Sequence, residues 1–68
     1  MKQKDLVGEL ESYFRKNGVA GLNSVFIKFG HSVAVIKALS LLIGGAAHGG
    51  SGLVESGEMT YKVYRWRE

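Results

Sequence analysis

Residues 53–68 constrain the fold more than any other stretch of this chain. They read as a β-hairpin, with residues 53–56 and 59–66 as strands and Ser56, Gly57 and Glu58 as the turn, where Gly57 can take a positive φ. Strand alternation puts Met59, Tyr61, Val63 and Arg65 on one face of the outgoing strand and Thr60, Lys62, Tyr64 and Trp66 on the other. Only one of those faces can pack inward. The residues ahead of the hairpin read mainly as helix, so the pattern is a helical body followed by a basic, aromatic ribbon.

Residues 3–16 predict an amphipathic helix. Leu6, Val7, Leu10, Tyr13 and Phe14 recur at helical spacing, while Lys4, Asp5, Glu9, Glu11, Arg15 and Lys16 fill the rest. Asp5 lies near the positive end of the helix dipole and Arg15 and Lys16 near the negative end. Asn17 and Gly18 end it, glycine taking the left-handed cap conformation without steric cost. Residues 19–30 support two readings. Val19, Leu22, Phe26 and Phe29 keep helical spacing, whereas residues 25–29 are β-branched and aromatic enough for a strand. Helix is favoured, because Gly30, His31 and Ser32 then make a short turn into a further helix over residues 32–43, with Ser32 as N-cap. That helix is apolar nearly all round, which calls for burial or a docked partner. Gly44 and Gly45 are expected to stop it, and residues 44–52, rich in glycine, read as a flexible joint.

The chain of 68 residues makes a single small domain, with a helical body over 3–43, a joint over 44–52 and a hairpin over 53–66. A domain this short has a net stability of only a few kcal/mol. It has no cysteine, which excludes disulfides and thiolate metal sites. Small domains without such staples often dimerise, and 46% hydrophobic residues leaves apolar surface for that. Net charge is +3, distributed as +1 over residues 1–16, +2 over 17–52 and zero over 53–68. That permits phosphate binding without demanding it. No targeting peptide is expected, and the apolar stretch 33–47 is shorter than the roughly 20 residues of a membrane span. A cytoplasmic location is the expectation.

No enzyme chemistry is expected. His31 and His48 stand 17 residues apart with no cysteine, a poor metal site, and no nucleophile has a foreseeable base. The glycine-rich segment lacks the Lys-Ser/Thr ending of a phosphate loop and follows a helix rather than a strand, so no nucleotide cofactor is expected. The hairpin offers different ingredients: lysine and arginine neutralise phosphate, while tyrosine and tryptophan stack on bases. Trp66 is read as core, with base contact as the competing role.

The order of elements resembles the winged helix-turn-helix family: residues 6–16, 22–29 and 32–43 as three helices and 53–66 as the wing. The resemblance covers nearly the whole chain and is one of element order, with no residue motif behind it. It implies an α+β fold of three N-terminal helices followed by a C-terminal β-hairpin. It also implies a non-enzymatic nucleic-acid-binding regulator of transcription, DNA before RNA, of the kind carried by phages and plasmids. Contacts would come from Lys28, His31, Ser32, Lys37 and Ser40 on the helices and Lys62, Tyr64, Arg65 and Arg67 on the wing. Residues 32–43 depart from the family pattern, offering few polar side chains to base edges. Two alternatives stand beside this reading. One is an interaction module whose apolar helix docks a host protein or a second copy; the other is a fold in which residues 25–29 form an added strand.

Overall fold

The computed structural model describes residues 3–68; Met1 and Lys2, part of the stretch read against a targeting peptide, lie outside the described residues. The elements follow the order α1 (Gln3–Asn17), β1 (Val19–Gly21), α2 (Leu22–Phe29), α3 (Val33–Ala47), β2 (Gly52–Ser56) and β3 (Val63–Arg67), with a single 3-10 turn at Met59–Tyr61. This is an α+β arrangement of three helices and a three-stranded antiparallel sheet, compatible with a winged-helix-like layout. Among the described residues no helix is long and apolar enough to cross a membrane.

Helix α1 buries Leu6, Leu10 and Phe14, one residue per turn on one stripe. It ends as its residues dictate: the Gly18 N–H donates to the Phe14 carbonyl at 2.7 Å, and the Asn17 side chain donates to the Tyr13 carbonyl at 2.8 Å. Helix α3 buries Val35, Ala38, Leu39, Leu42 and Ala46 against α1 and β2. Leu53 and Tyr64 close the core from the sheet side. Phe14 meets Tyr13 and Tyr64 edge-on, with ring centroids 5.3 and 6.4 Å apart. Such pairs add about 0.5–1.5 kcal/mol beyond the area they bury.

Residues 25–29 are helical, and Val25 is wholly buried. The strand of this region lies just before them. Val19–Gly21 pairs with β3, placing Val19 opposite Arg65, Ala20 opposite Tyr64 and Gly21 opposite Val63. The ladder extends at both ends, with the Trp66 N–H donating to the Gly18 carbonyl (2.8 Å) and the Leu22 N–H to the Lys62 carbonyl (2.9 Å). The sheet order is therefore β1-β3-β2, and the C-terminal strand is its centre. The expected two-stranded hairpin is part of a larger sheet.

Gly44 and Gly45 do not stop α3; it runs to Ala47. The stop comes at Gly49, whose φ of 87° suits glycine. Its N–H donates to the Ala46 carbonyl and that of Gly50 to the Gly45 carbonyl, at 3.1 and 3.0 Å, which is a Schellman cap. The glycines of the expected flexible joint serve close approach instead. A Cβ on Gly45 would sit 2.8 Å from the Ser51 carbonyl oxygen, and one on Gly52 would collide with the Leu42 carbonyl and lie 2.6 Å from the Ala46 N. Helix and strand touch through their backbones here.

The outgoing strand also starts later than its sequence suggests. Gly57 has φ 83° and Met59 φ 53°, and the chain turns through Met59–Tyr61 before entering β3 at Val63. Thr60 is thus off the strand, and the expected face of Thr60, Lys62, Tyr64 and Trp66 is broken at its first half.

Two glycine substitutions separate these roles. Gly52→Ala should destabilise the protein by about 2 kcal/mol or more, because backbone atoms of α3 must move. Gly8→Ala, exposed in mid-α1 with open space around a new Cβ, should stabilise by about 0.5–1 kcal/mol. Chemical denaturation of both variants measures the difference, and equal effects would contradict it.

Candidate nucleic-acid interface

The unit of α2, a short turn and α3 is built from local signals. The Gly30 N–H closes α2 on the Phe26 carbonyl at 2.8 Å, with Gly30 itself at φ 95°. The Ser32 hydroxyl then accepts from the Val35 N–H at 3.3 Å, capping α3. His31 stacks on Phe26, with ring centroids 4.3 Å apart and planes 27° from parallel. That contact holds the imidazole at the start of α3 while leaving it exposed.

The helical candidates other than His31 fall into two groups. Lys37 and Ser40 lie on the outer face of α3, where with Ile36 and Leu41 they line a shallow recess. The Ser40 hydroxyl donates to the Ile36 carbonyl at 3.1 Å, leaving its lone pairs for a ligand. Lys28 and Ser32 instead line a broad groove shared with α1, in company with Asp5 and Glu9. The Lys28 ammonium sits 5.7 Å from the Tyr13 ring centroid and 5.8 Å from that of Phe29. These two residues do not share a face with Lys37.

The hairpin residues divide again. Tyr64 is a core residue, only 4% exposed, which corrects its expected role as a contact. Its neighbour Lys62 pairs with Glu55 at 3.6 Å, and Glu55 stands directly opposite Tyr64 in the register. Arg65 and Arg67 alternate with Tyr64 and Trp66, so they occupy the outer face of the sheet and are exposed. The structure therefore does not unite Lys62 with the two arginines. Trp66 is half-buried at the core margin, its indole N–H donating to the Glu68 carboxylate at 2.6 Å.

Charge is distributed unevenly along the chain. From Ser12 to Val54 there is no Asp or Glu, while Arg15, Lys16, Lys28 and Lys37 all fall in this interval. The carboxylates sit on α1, on the hairpin and at Glu68. The α2–turn–α3 unit thus contains cations and histidine with no competing carboxylate of its own. Arg15 is engaged elsewhere: it pairs with Glu11 at 3.0 Å and Glu68 at 3.4 Å and lies 5.1 Å from the Trp66 ring centroid.

Several surface features were invisible to sequence periodicity. Val33, Ile36 and Leu41 of α3 are 66%, 46% and 60% exposed, although the helix reads as apolar all round. Met59 and Tyr61 project almost fully into solvent from the hairpin tip, beside Glu58. Their late register was the missing signal, since an unbroken strand would have placed them on a sheet face. Among the described residues no group of three His, Cys, Asp or Glu could hold a metal ion.

Burial, reinforced by a hydrogen bond to Glu55 and its negative charge, pushes the Tyr64 phenol up to about 12 from 10.0. The folded state thus holds a proton that the unfolded chain releases near pH 10. The associated stability is complete below pH 10 and is lost as pH rises toward 12, by about 2 kcal/mol. Denaturation across pH 9–12 should show this loss in the native chain and not in Tyr64→Phe. Equal losses in both would remove Tyr64 as the cause.

Comparison with protein-family models, with curated proteins and with solved structures finds no match to this chain.

Proposed function

We propose that the chain is a small, non-enzymatic nucleic-acid-binding protein of winged helix-turn-helix type, a cytoplasmic regulator that lays α3 in the major groove of DNA. The observation that carries the reading is the outer face of α3, set behind a capped turn in a stretch of chain free of carboxylates. Polyphosphate is repelled by carboxylates as strongly as it is drawn by lysine, so their absence matters as much as Lys37 itself. His31 stands at the N-terminal end of the helix, the end from which recognition helices reach base edges. Val33 and Ile36 suit apolar contact with thymine methyl groups, and Ser40 can accept from a base amino group. Among the described residues Lys37 is the one charge on this face, so sequence discrimination is modest and phosphate contacts few. Tyr64 has no part in the interface, and Lys62 enters it only by leaving Glu55.

A second reading rests on the same helix. Three large apolar side chains in water, Val33, Ile36 and Leu41, also suit a protein partner, either a host protein or a second copy.

Binding of a labelled DNA duplex, followed by fluorescence anisotropy, separates the two. With Lys37 as the one phosphate contact, affinity should fall roughly three- to fourfold between about 50 and 200 mM salt. Lys37→Glu should weaken binding by roughly tenfold or more at the lower salt, with the circular dichroism unchanged. No binding at about 50 mM salt, together with a dimer that Leu41→Lys dissociates without unfolding, would transfer the function to the second reading.

A further inference from the structure

The sheet has two faces, and the fold uses one. Leu53 and Tyr64 point to the helices and are almost completely buried, with Ala20 and Trp66 packed beside them. The other face meets a helix only at its edge, where Gly52, opposite Arg67, lies against the α3 backbone. Register places Val19 and Val54 on either side of Arg65, and directly opposed residues share a face. Val63 and Arg67, two residues before and after Arg65, extend the same surface. Val19 is 50% exposed, Val54 43% and Val63 37%, an apolar strip wrapped around two guanidinium groups.

No carboxylate neutralises those guanidiniums among the described residues. Glu55 lies opposite Tyr64, on the inner side of the alternation, and is paired with Lys62. Glu68 turns toward the Trp66 indole and Arg15. Glu55 and Glu68 are thus both occupied away from Arg65 and Arg67.

We propose that this outer face docks an acidic, apolar segment of another protein, with Val19, Val54 and Val63 receiving its apolar side chains and Arg65 and Arg67 its carboxylates. Charge complementarity selects this occupant over the alternatives. A two-fold contact centred on this face would bring the Arg65 and Arg67 of both copies together, a like-charge contact that disfavours association. A nucleic-acid backbone would satisfy the arginines but press hydrated phosphates onto three valines. A segment mixing carboxylates with apolar residues satisfies both chemistries at once, and Arg forms bidentate contacts with carboxylates in particular.

The surface is small. Three strands span about 10 Å and residues 63–67 about 14 Å, well below the roughly 800 Å² per partner of a stable complex. The contact is therefore transient, with a dissociation constant on the order of 100 μM. It shares no residue with the α3 face of Ile36, Lys37, Ser40 and Leu41, so it leaves that face free, and it does not depend on the nucleic-acid reading.

The test is a titration of the isotope-labelled full chain, followed by amide chemical shifts. The probe is a peptide of about 12 residues alternating Asp or Glu with Val or Leu; a peptide with Lys in place of each acid and a DNA duplex are the comparators. The acidic peptide should move the amides of Val19, Val54, Val63 and Arg65 and leave those of Ile36, Lys37 and Leu41 in place. Arg65→Glu should weaken it by roughly tenfold. Val54→Thr, which keeps a β-branched shape, should weaken it by about threefold and supplies a second reading should Arg65→Glu disturb the fold. Absence of shifts at millimolar peptide, an equal response to the basic peptide, or unchanged affinity in Val54→Thr would overturn the proposal. Movement of the same amides by the duplex alone would also overturn it, assigning the face to nucleic acid.

Discussion

Strand β3 is the member on which the rest of this small structure depends. It is the last element of the chain, yet it lies between β1 and β2 and bonds to both. Through β1 it reaches the segment joining α1 to α2, where the Trp66 N–H meets the Gly18 carbonyl and the Lys62 carbonyl meets the Leu22 N–H. Through β2 it is linked to α3, which touches that strand at Gly52 with almost no space between the backbones. A chain with no disulfide closes its fold by placing its final strand in the centre, so that every helix borders something β3 holds. The same insertion decides the chemistry of the surface. Once Tyr64 faces Phe14, strand alternation sends Arg65 and Arg67 outward, and no choice remains.

Much of the helical architecture was legible in the sequence, because its signals are local. The stripe of Leu6, Leu10 and Phe14, the Asn17–Gly18 terminator and the Ser32 cap each act within a few residues of themselves. The parts that were not legible depend on distant partners. Val19–Gly21 is three residues long and has no strand signature of its own; it becomes a strand because β3 lies beside it. Gly44 and Gly45 look like helix breakers, yet α3 continues through them, and Gly45 is where the Ser51 carbonyl comes too close for a Cβ. Alternation in residues 59–66 separates two faces without saying which one meets the helices. That ambiguity placed Tyr64 among the surface contacts, where it does not belong.

The candidate interface was legible to the same degree. Residues on the α2–turn–α3 unit, His31, Ser32, Lys37 and Ser40, are exposed as their positions in a capped turn and helix suggest. The hairpin residues depend on register, and register divides them: Lys62 is tied to Glu55, and the arginines face the opposite way. A single shared cationic surface therefore gives way to two separate ones. The helical surface carries Lys37 among Val33, Ile36 and Leu41; the sheet surface carries Arg65 and Arg67 among Val19, Val54 and Val63. Both combine apolar side chains with isolated positive charge, which suits partners that offer anionic and apolar groups together.

Native-state amide hydrogen exchange tests the central role of β3 most directly. The amides of Trp66 and Leu22, which bond across the β1–β3 ladder, should exchange only through global unfolding, at the same free energy as Leu10 in α1 and Leu39 in α3. A ribbon that opens on its own, with Trp66 and Leu22 exchanging well before helices that stay protected, would contradict the account.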